Sequence, residues 1–181
     1  MVNDPERIFM NPASTHIDTI NTKSRIYGIL QTVLDPEVPV LSVIDLGIVR
    51  DVQVHDDGVE IFVTPTYSGC PAIDTINMNI RLALLQQGFK SIRITQVLSP
   101  AWTTDWISEA GRDKLKAFGI APPHYRQAVC TPDAFQQEEA IQCPQCNSYN
   151  TRLVSQFGST ACKALYQCND CGEPFDYFKC H

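Results

Sequence analysis

The sequence predicts an α+β domain followed by a small cysteine-knit module, and three observations carry that prediction. Apolar residues between 22 and 123 recur first at helical and then at strand spacing, in the order α-β-β-α-β-α. Glycine, proline and an Asp-Asp-Gly stretch interrupt these runs where elements should end. Six of the eight cysteines crowd between Cys143 and Cys180, four of them as two Cys-x-x-Cys pairs. The 181 residues therefore divide into a flexible tail over 1–21, a folded domain over 22–123, a linker over 124–140 and a module over 141–181.

Thr22 can cap a first helix that runs to Leu34, with Ile26, Ile29, Leu30, Val33 and Leu34 on one stripe. Asp35-Pro36 should end it, because a residue before proline avoids the helical region. Pro36 and Pro39 then hold an extended loop that carries Asp35, Glu37 and Asp45 up to Gly47. Carboxylates are rarely buried unpaired, so this loop is expected to line a shallow surface pocket beside Cys70, outside the core. Ile48, Val52 and Val54, then Val59, Ile61 and Val63, alternate about the Asp56-Asp57-Gly58 turn and read as a β-hairpin. Pro71 suits the first turn of a second helix whose buried stripe is Ile73, Ile76, Ile80, Ala83 and Leu84, and Gly88 ends it. Ile92, Ile94 and Val97 suggest a third strand. A last helix opens at Thr104 or Asp105 and stops at Gly119, before Pro122-Pro123.

Charge and length exclude several roles. Lys and Arg number 14 against 20 Asp and Glu, giving a formal net charge of −6, and no segment is basic. A chain that grips nucleic-acid phosphates needs a concentrated positive face. No apolar run approaches the roughly 18 residues of a membrane span, and no secretion signal opens the chain, so a soluble cytoplasmic protein is expected. Phosphate-binding, dinucleotide-binding and nucleophile-elbow glycine patterns are all missing, as is a Glu-x-x-His pair of the di-iron type.

Chemistry concentrates in the cysteines. Cys143-Pro144-Gln145-Cys146 and Cys168-Asn169-Asp170-Cys171 have 21 residues between them, and two such knuckles complete a tetrahedral site for one zinc ion per chain. Asn147 and Gly172 follow the pairs and tolerate the left-handed backbone that turns amides toward sulfur. Strands around Leu153–Gln156, Ala164–Gln167 and Phe175–Phe178 would complete a zinc ribbon, and the metal's role would be structural. A rubredoxin-like iron site and a redox dithiol are the alternatives. Cys162 and Cys180 lie outside both pairs and read as small buried residues or as a second, weaker metal position. Cys130, alone in the linker, receives no functional reading. Cys70, in Tyr67-Ser68-Gly69-Cys70-Pro71, stands at the mouth of the second helix, where the dipole stabilises a thiolate. A buried inert cysteine is the alternative, and neither His55 nor His124 sits in a recognisable Cys/His pattern with it. Trp102 and Trp106 are candidates for an exposed aromatic surface or for burial.

At Asp35-Pro36-Glu37-Val38-Pro39 and at Ser42-Val43-Ile44-Asp45-Leu46-Gly47-Ile48-Val49, the sequence resembles the SufT-like metal–sulfur cluster assembly family. That resemblance spans about residues 22–100 and places Cys70 on the family's single cysteine before proline. Pro100-Ala101-Trp102-Thr103-Thr104-Asp105-Trp106-Ile107-Ser108, Gly119-Ile120-Ala121-Pro122-Pro123 and the ribbon resemble the PaaD (PaaJ) family, accessory members of the bacterial ring 1,2-phenylacetyl-CoA epoxidase system. Together these resemblances imply a small mixed sheet packed with helices, plus a ribbon. They imply a non-catalytic accessory protein of phenylacetate degradation that helps assemble a di-iron or iron–sulfur centre. Its partners would be the oxygenase or reductase subunits. Cys70, with Asp45 and Glu37, would form a transient iron or cluster site. A stoichiometric structural component and a thiol enzyme using Cys70 remain the competing readings, and the sequence leaves homo-oligomerisation open.

Overall fold

The computed structural model describes residues 12–67, 69–123 and 141–179. Helix α1 covers Pro12–Leu30 and turns Ile26 and Leu30 into the core. Both expected ends of this helix are corrected. It starts ten residues before Thr22, at a proline, whose missing N–H costs nothing in a first turn. It stops at Leu30, where Thr32 N–H and Val33 N–H bond to the carbonyls of Ile29 and Leu30 and tighten the last turn. Val33 keeps its place in the core, whereas Leu34 turns outward and bridges to Ser42. Residues 1–11 of the expected tail lie outside the described residues.

Strands β1 (Val49–His55) and β2 (Gly58–Val63) form the expected hairpin, with His55 opposite Gly58 across the two-residue Asp56-Asp57 turn. Helix α2 (Ala72–Gln86) crosses over to β3 (Ile92–Gln96), which pairs parallel to β2. β2 is thus central, and its Val59, Ile61 and Val63 join Ala72, Ile76, Ile80 and Leu84 of α2 within one apolar cluster. Gly88, at φ 91°, ends α2 in the left-handed region that only glycine adopts at little cost.

The last helix begins later than expected. A single 3-10 turn covers Thr104–Trp106, Ile107 is extended, and Ser108 then caps α3 (Glu109–Ala117) by accepting Gly111 N–H at 3.0 Å. Serine is a strong cap and neither Thr104 nor Asp105 makes an equivalent bond, so the capping side chain sets the start. Trp102 is buried and donates its indole N–H to the Leu46 carbonyl at 2.8 Å. Trp106 is half-buried, with the Arg50 guanidinium 3.4 Å above its ring.

Strand β4 (Ile120–Ala121) belongs to the first domain in sequence but not in pairing. It runs parallel to β7 (Pro174–Phe178) in a second sheet of order β4-β7-β6-β5, with β5 Thr151–Ser155 and β6 Lys163–Cys168. The C-terminal module therefore seats on the first domain. Phe178 meets Trp102 edge-on at 6.3 Å between ring centroids and joins the same core as Ile107 and Leu115.

Two glycines differ in what surrounds them, and that difference makes a prediction. A Cβ on Gly47 (φ 67°) would collide with the backbone of Trp106, while Gly88 has open space around it. Gly88→Ala should cost about 1–2 kcal/mol from backbone strain alone. Gly47→Ala should cost clearly more in urea unfolding, and equal costs would show that the Gly47–Trp106 approach is not a tight contact.

Candidate functional site

The sulfur atoms of Cys143, Cys146, Cys168 and Cys171 all lie within 4.8 Å of one another. Cys143 and Cys168 are buried, while Cys146 and Cys171 are exposed. Asn147 (φ 61°) and Gly172 (φ 80°) take the left-handed conformation, and their N–H groups bond to the carbonyls of Cys143 and Cys168. Backbone N–H groups of Cys171 and Asp170 hold the Cys168 thiol down at about 7. At Cys171 the Glu173 N–H favours the thiolate, but burial and the neighbouring sulfurs outweigh it and push the thiol up to about 12. Four thiols so close cannot all ionise without a cation. The donor set fits a metal such as zinc, and these four side chains could hold it.

Much of the loop from Asp35 to Gly47 lies in the core, which corrects the expected position outside it. Val38, Leu41, Ser42, Val43, Asp45 and Leu46 are all buried, along with Asp35. The carboxylates are admitted because each finds partners. Asp35 accepts the N–H groups of Glu37 and Val38, both at 2.8 Å, in a tight local turn, though burial still raises its carboxyl above the usual range. Asp45 Oδ2 accepts Ser42 N–H at 3.0 Å, Ser42 hydroxyl at 2.7 Å, Gln31 amide at 3.2 Å and Lys114 ammonium at 2.6 Å. Burial alone would raise the Asp45 carboxyl, but Lys114, Ser42 and Gln31 overcome it and hold it at about 2. Asp45 is thus a structural carboxylate tied to α1's end, its own loop and α3.

Cys70 stands between the Tyr67–Gly69 turn and α2, with its N–H on the Tyr67 carbonyl at 3.2 Å and its carbonyl accepting Ile73 N–H at 3.3 Å. Its side chain is buried. Gly69 supplies the positive φ of 82° that the turn needs, and Ser68 lies outside the described residues. Burial, with the charges of Cys70 and Glu37, pushes the Tyr67 hydroxyl up to about 12. Glu37 Oε2 accepts the Cys162 thiol at 3.3 Å. Burial, countered by the Thr160 hydroxyl and reinforced by Glu37 and Asp35, raises the Cys162 thiol to about 12. The structure therefore pairs Glu37 with Cys162 and gives Asp45 a different set of partners. The bond from Cys162 to Glu37 joins residues 125 apart, and no local pattern in the sequence signals it. His55 pairs with Glu60 on the hairpin, while His124, Cys130 and Cys180 lie outside the described residues.

Two family models match the chain. Residues 23–93 match the iron-sulfur cluster assembly protein family, and residues 127–179 match the PaaD zinc beta ribbon domain. The chain is 47% identical over 157 residues to a putative 1,2-phenylacetyl-CoA epoxidase subunit of Escherichia coli (strain K12), covering 86% of this chain and 91% of that protein. It is 38% identical over 92 residues to an Fe-S protein maturation auxiliary factor of Porphyromonas gingivalis, covering 50% of this chain and 87% of the relative. A solved domain of unknown function from Bacillus anthracis superposes with a TM-score of 0.52 at 24% identity, over 55% of this chain and 96% of that one, and shares the fold.

The Asp45 network makes a pH prediction. Its folded pKa of about 2 lies below the ordinary 3.8, so its stabilisation is complete above the ordinary value and disappears as pH falls through about 2. Lys114 is 44% exposed, so its share is discounted to about 1 kcal/mol. Lys114→Met should lose that amount in urea unfolding at neutral pH, and the loss should shrink between the two values. A loss independent of pH would contradict the ion pair.

Proposed function

This chain belongs to the PaaD family of the phenylacetyl-CoA epoxidase system, and on that footing we propose that it is a non-catalytic accessory protein that holds iron or an iron–sulfur unit transiently at Cys70 and passes it to a metal centre of the epoxidase. The observation that carries the reading is the setting of Cys70. It is a buried cysteine two residues before α2, within the stretch 23–93 that matches the cluster assembly model. A relative named as an Fe-S maturation auxiliary factor spans that same half. Thiol and carboxylate together suit ferrous iron. Among the described residues no histidine pairs with Cys70 to act as a base, which disfavours a thiol enzyme. Asp45 enters this reading as the group that fixes the loop carrying Glu37.

We assign the four-cysteine knuckle one structural zinc, held by Cys143, Cys146, Cys168 and Cys171 as thiolates. Zinc there contributes folding energy to a segment whose separate apolar cluster is small, Ala121, Ile141, Cys143, Cys168 and Phe175. Among the described residues no helix is long and apolar enough to cross a membrane. A cytoplasmic place suits the unpaired cysteines, because thiols stay reduced there. The partners are the oxygenase or reductase subunits.

Three outcomes are expected. Cys146→Ser should release the zinc and loosen residues 141–179 while α1 to α3 keep their fold, and metal analysis showing full zinc in that variant would defeat the assignment. Epoxidase subunits produced without this protein should lack iron or cluster and activity, and should keep activity after this protein has been supplied and removed. Cys70→Ser should unfold within about 1.5 kcal/mol of the parent, since its volume barely changes, yet fail to support activity. Activity that returns only while the protein is present would identify a structural component instead.

A further inference from the structure

Resting on the zinc assignment just made, we infer that the metal at the knuckle is a conformational lock on Glu37, near the start of the Asp35–Gly47 loop. The connection runs along one hairpin. Strand β6 covers Lys163–Cys168, and β7 pairs with it from Pro174, opposite Gln167, to Phe178, opposite Lys163. One end of this hairpin therefore holds a knuckle cysteine. The other end grips the first domain. There the Cys162 thiol donates to Glu37 Oε2 at 3.3 Å, Lys163 Nζ donates to the Glu37 carbonyl at 3.4 Å, and Phe178 joins the main core. Asp176 of β7 pairs with the same ammonium at 3.4 Å and keeps it aimed. Cys162 and Lys163 are both buried, so the grip lasts only while the hairpin stays seated.

The far end of the hairpin has little besides a metal to hold it. Among the described residues its buried apolar cluster is Ala121, Ile141, Cys143, Cys168 and Phe175, and two of these are knuckle cysteines themselves. Without a cation the four thiols lose the centre they share, and an end so thinly packed opens first. The two halves of the loop differ in what holds them. Glu37 is tied to the module, whereas Asp45 is tied to Ser42, Gln31 and Lys114, none of which belongs to it. Zinc loss therefore frees the Glu37 half and leaves the Asp45 half in place. Asp35 and Asp45 are buried, while Glu37 is half-buried. With zinc bound, the Glu37 carboxylate is engaged by the Cys162 thiol; with zinc gone, it is released.

The test is residue-resolved amide hydrogen exchange on the full chain, first zinc-replete, then stripped by a chelator, then with zinc restored. The Glu37 and Val38 N–H groups, which bond to Asp35 Oδ1, report one half of the loop. The Ser42 and Asp45 N–H groups, which bond to each other's side chains, report the other. Stripping should speed exchange at Glu37 and Val38 about tenfold, the scale of a lost hydrogen bond, and restored zinc should reverse it. Ser42 and Asp45 should keep their rates. Cys162→Ala and Lys163→Met should each reproduce the faster exchange with zinc content unchanged. Unchanged Glu37 and Val38 rates, with residues 151–178 exchanging faster, would overturn the inference and leave the zinc assignment standing. Equal acceleration at Ser42, Asp45 and the α2 amides of Ile80 and Leu84 would mean that the chain opens as a whole, which also overturns it. A parent that binds no zinc would overturn both. Should the variants fail to fold, the chelator comparison in the parent decides by the same two outcomes.

Discussion

A carboxylate taken out of water must be matched by partners, and Asp45 meets that demand with groups from three separate elements. Gln31 follows α1, Ser42 opens the tight turn of the loop, and Lys114 projects from α3. The Asp45 carbonyl accepts Ser108 N–H at 2.8 Å, at the cap of α3, so backbone and side chain of one residue both tie that helix to the loop. Gly111 leaves room for this approach, since a Cβ there would lie 3.1 Å from the Asp45 carbonyl. With the loop held, Trp102 can reach the Leu46 carbonyl and Glu37 is presented toward Cys162. The contacts that Leu46 and Glu37 make with distant elements thus depend on how Asp45 is held.

The C-terminal module is attached at two levels. Its four-cysteine knuckle organises the far end, where Asp170 accepts Asn150 amide at 2.7 Å and the Ser148 hydroxyl. Its near end is fixed by apolar burial of Phe178 and Cys162 and by the shared strand pairing of β4 with β7. Burial of a ring such as Phe178 contributes roughly 1.5–3 kcal/mol, more than the long 3.4 Å bond from Lys163 Nζ to the Glu37 carbonyl offers. Apolar contact and sheet pairing therefore dominate the docking, and the polar contacts at Glu37 specify its register.

Much of the first domain is legible in local pattern. The alternation of Val59, Ile61 and Val63 and the spacing of Ile76, Ile80 and Leu84 report which face is buried, because period alone settles that. The Cys-x-x-Cys pairs announce the knuckle for the same reason, since short spacing fixes geometry. The features that local pattern misses depend on distant partners. Leu34 fits a helical stripe, yet its bridge to Ser42 draws it out of the helix. Asp45 reads as a surface carboxylate because Lys114 lies 69 residues away. Ile120–Ala121 reads as the end of a helix connection, and only the folded module supplies the strand it pairs with.

If Cys70 carries iron, that ion must be visible apart from the knuckle. Anomalous diffraction at the iron edge, from crystals of the zinc-replete chain soaked anaerobically in ferrous iron, looks for it directly. An iron peak bonded to Cys70 is expected, with zinc alone at Cys143, Cys146, Cys168 and Cys171. Iron found only at the knuckle, or no iron at all, would contradict the carrier role.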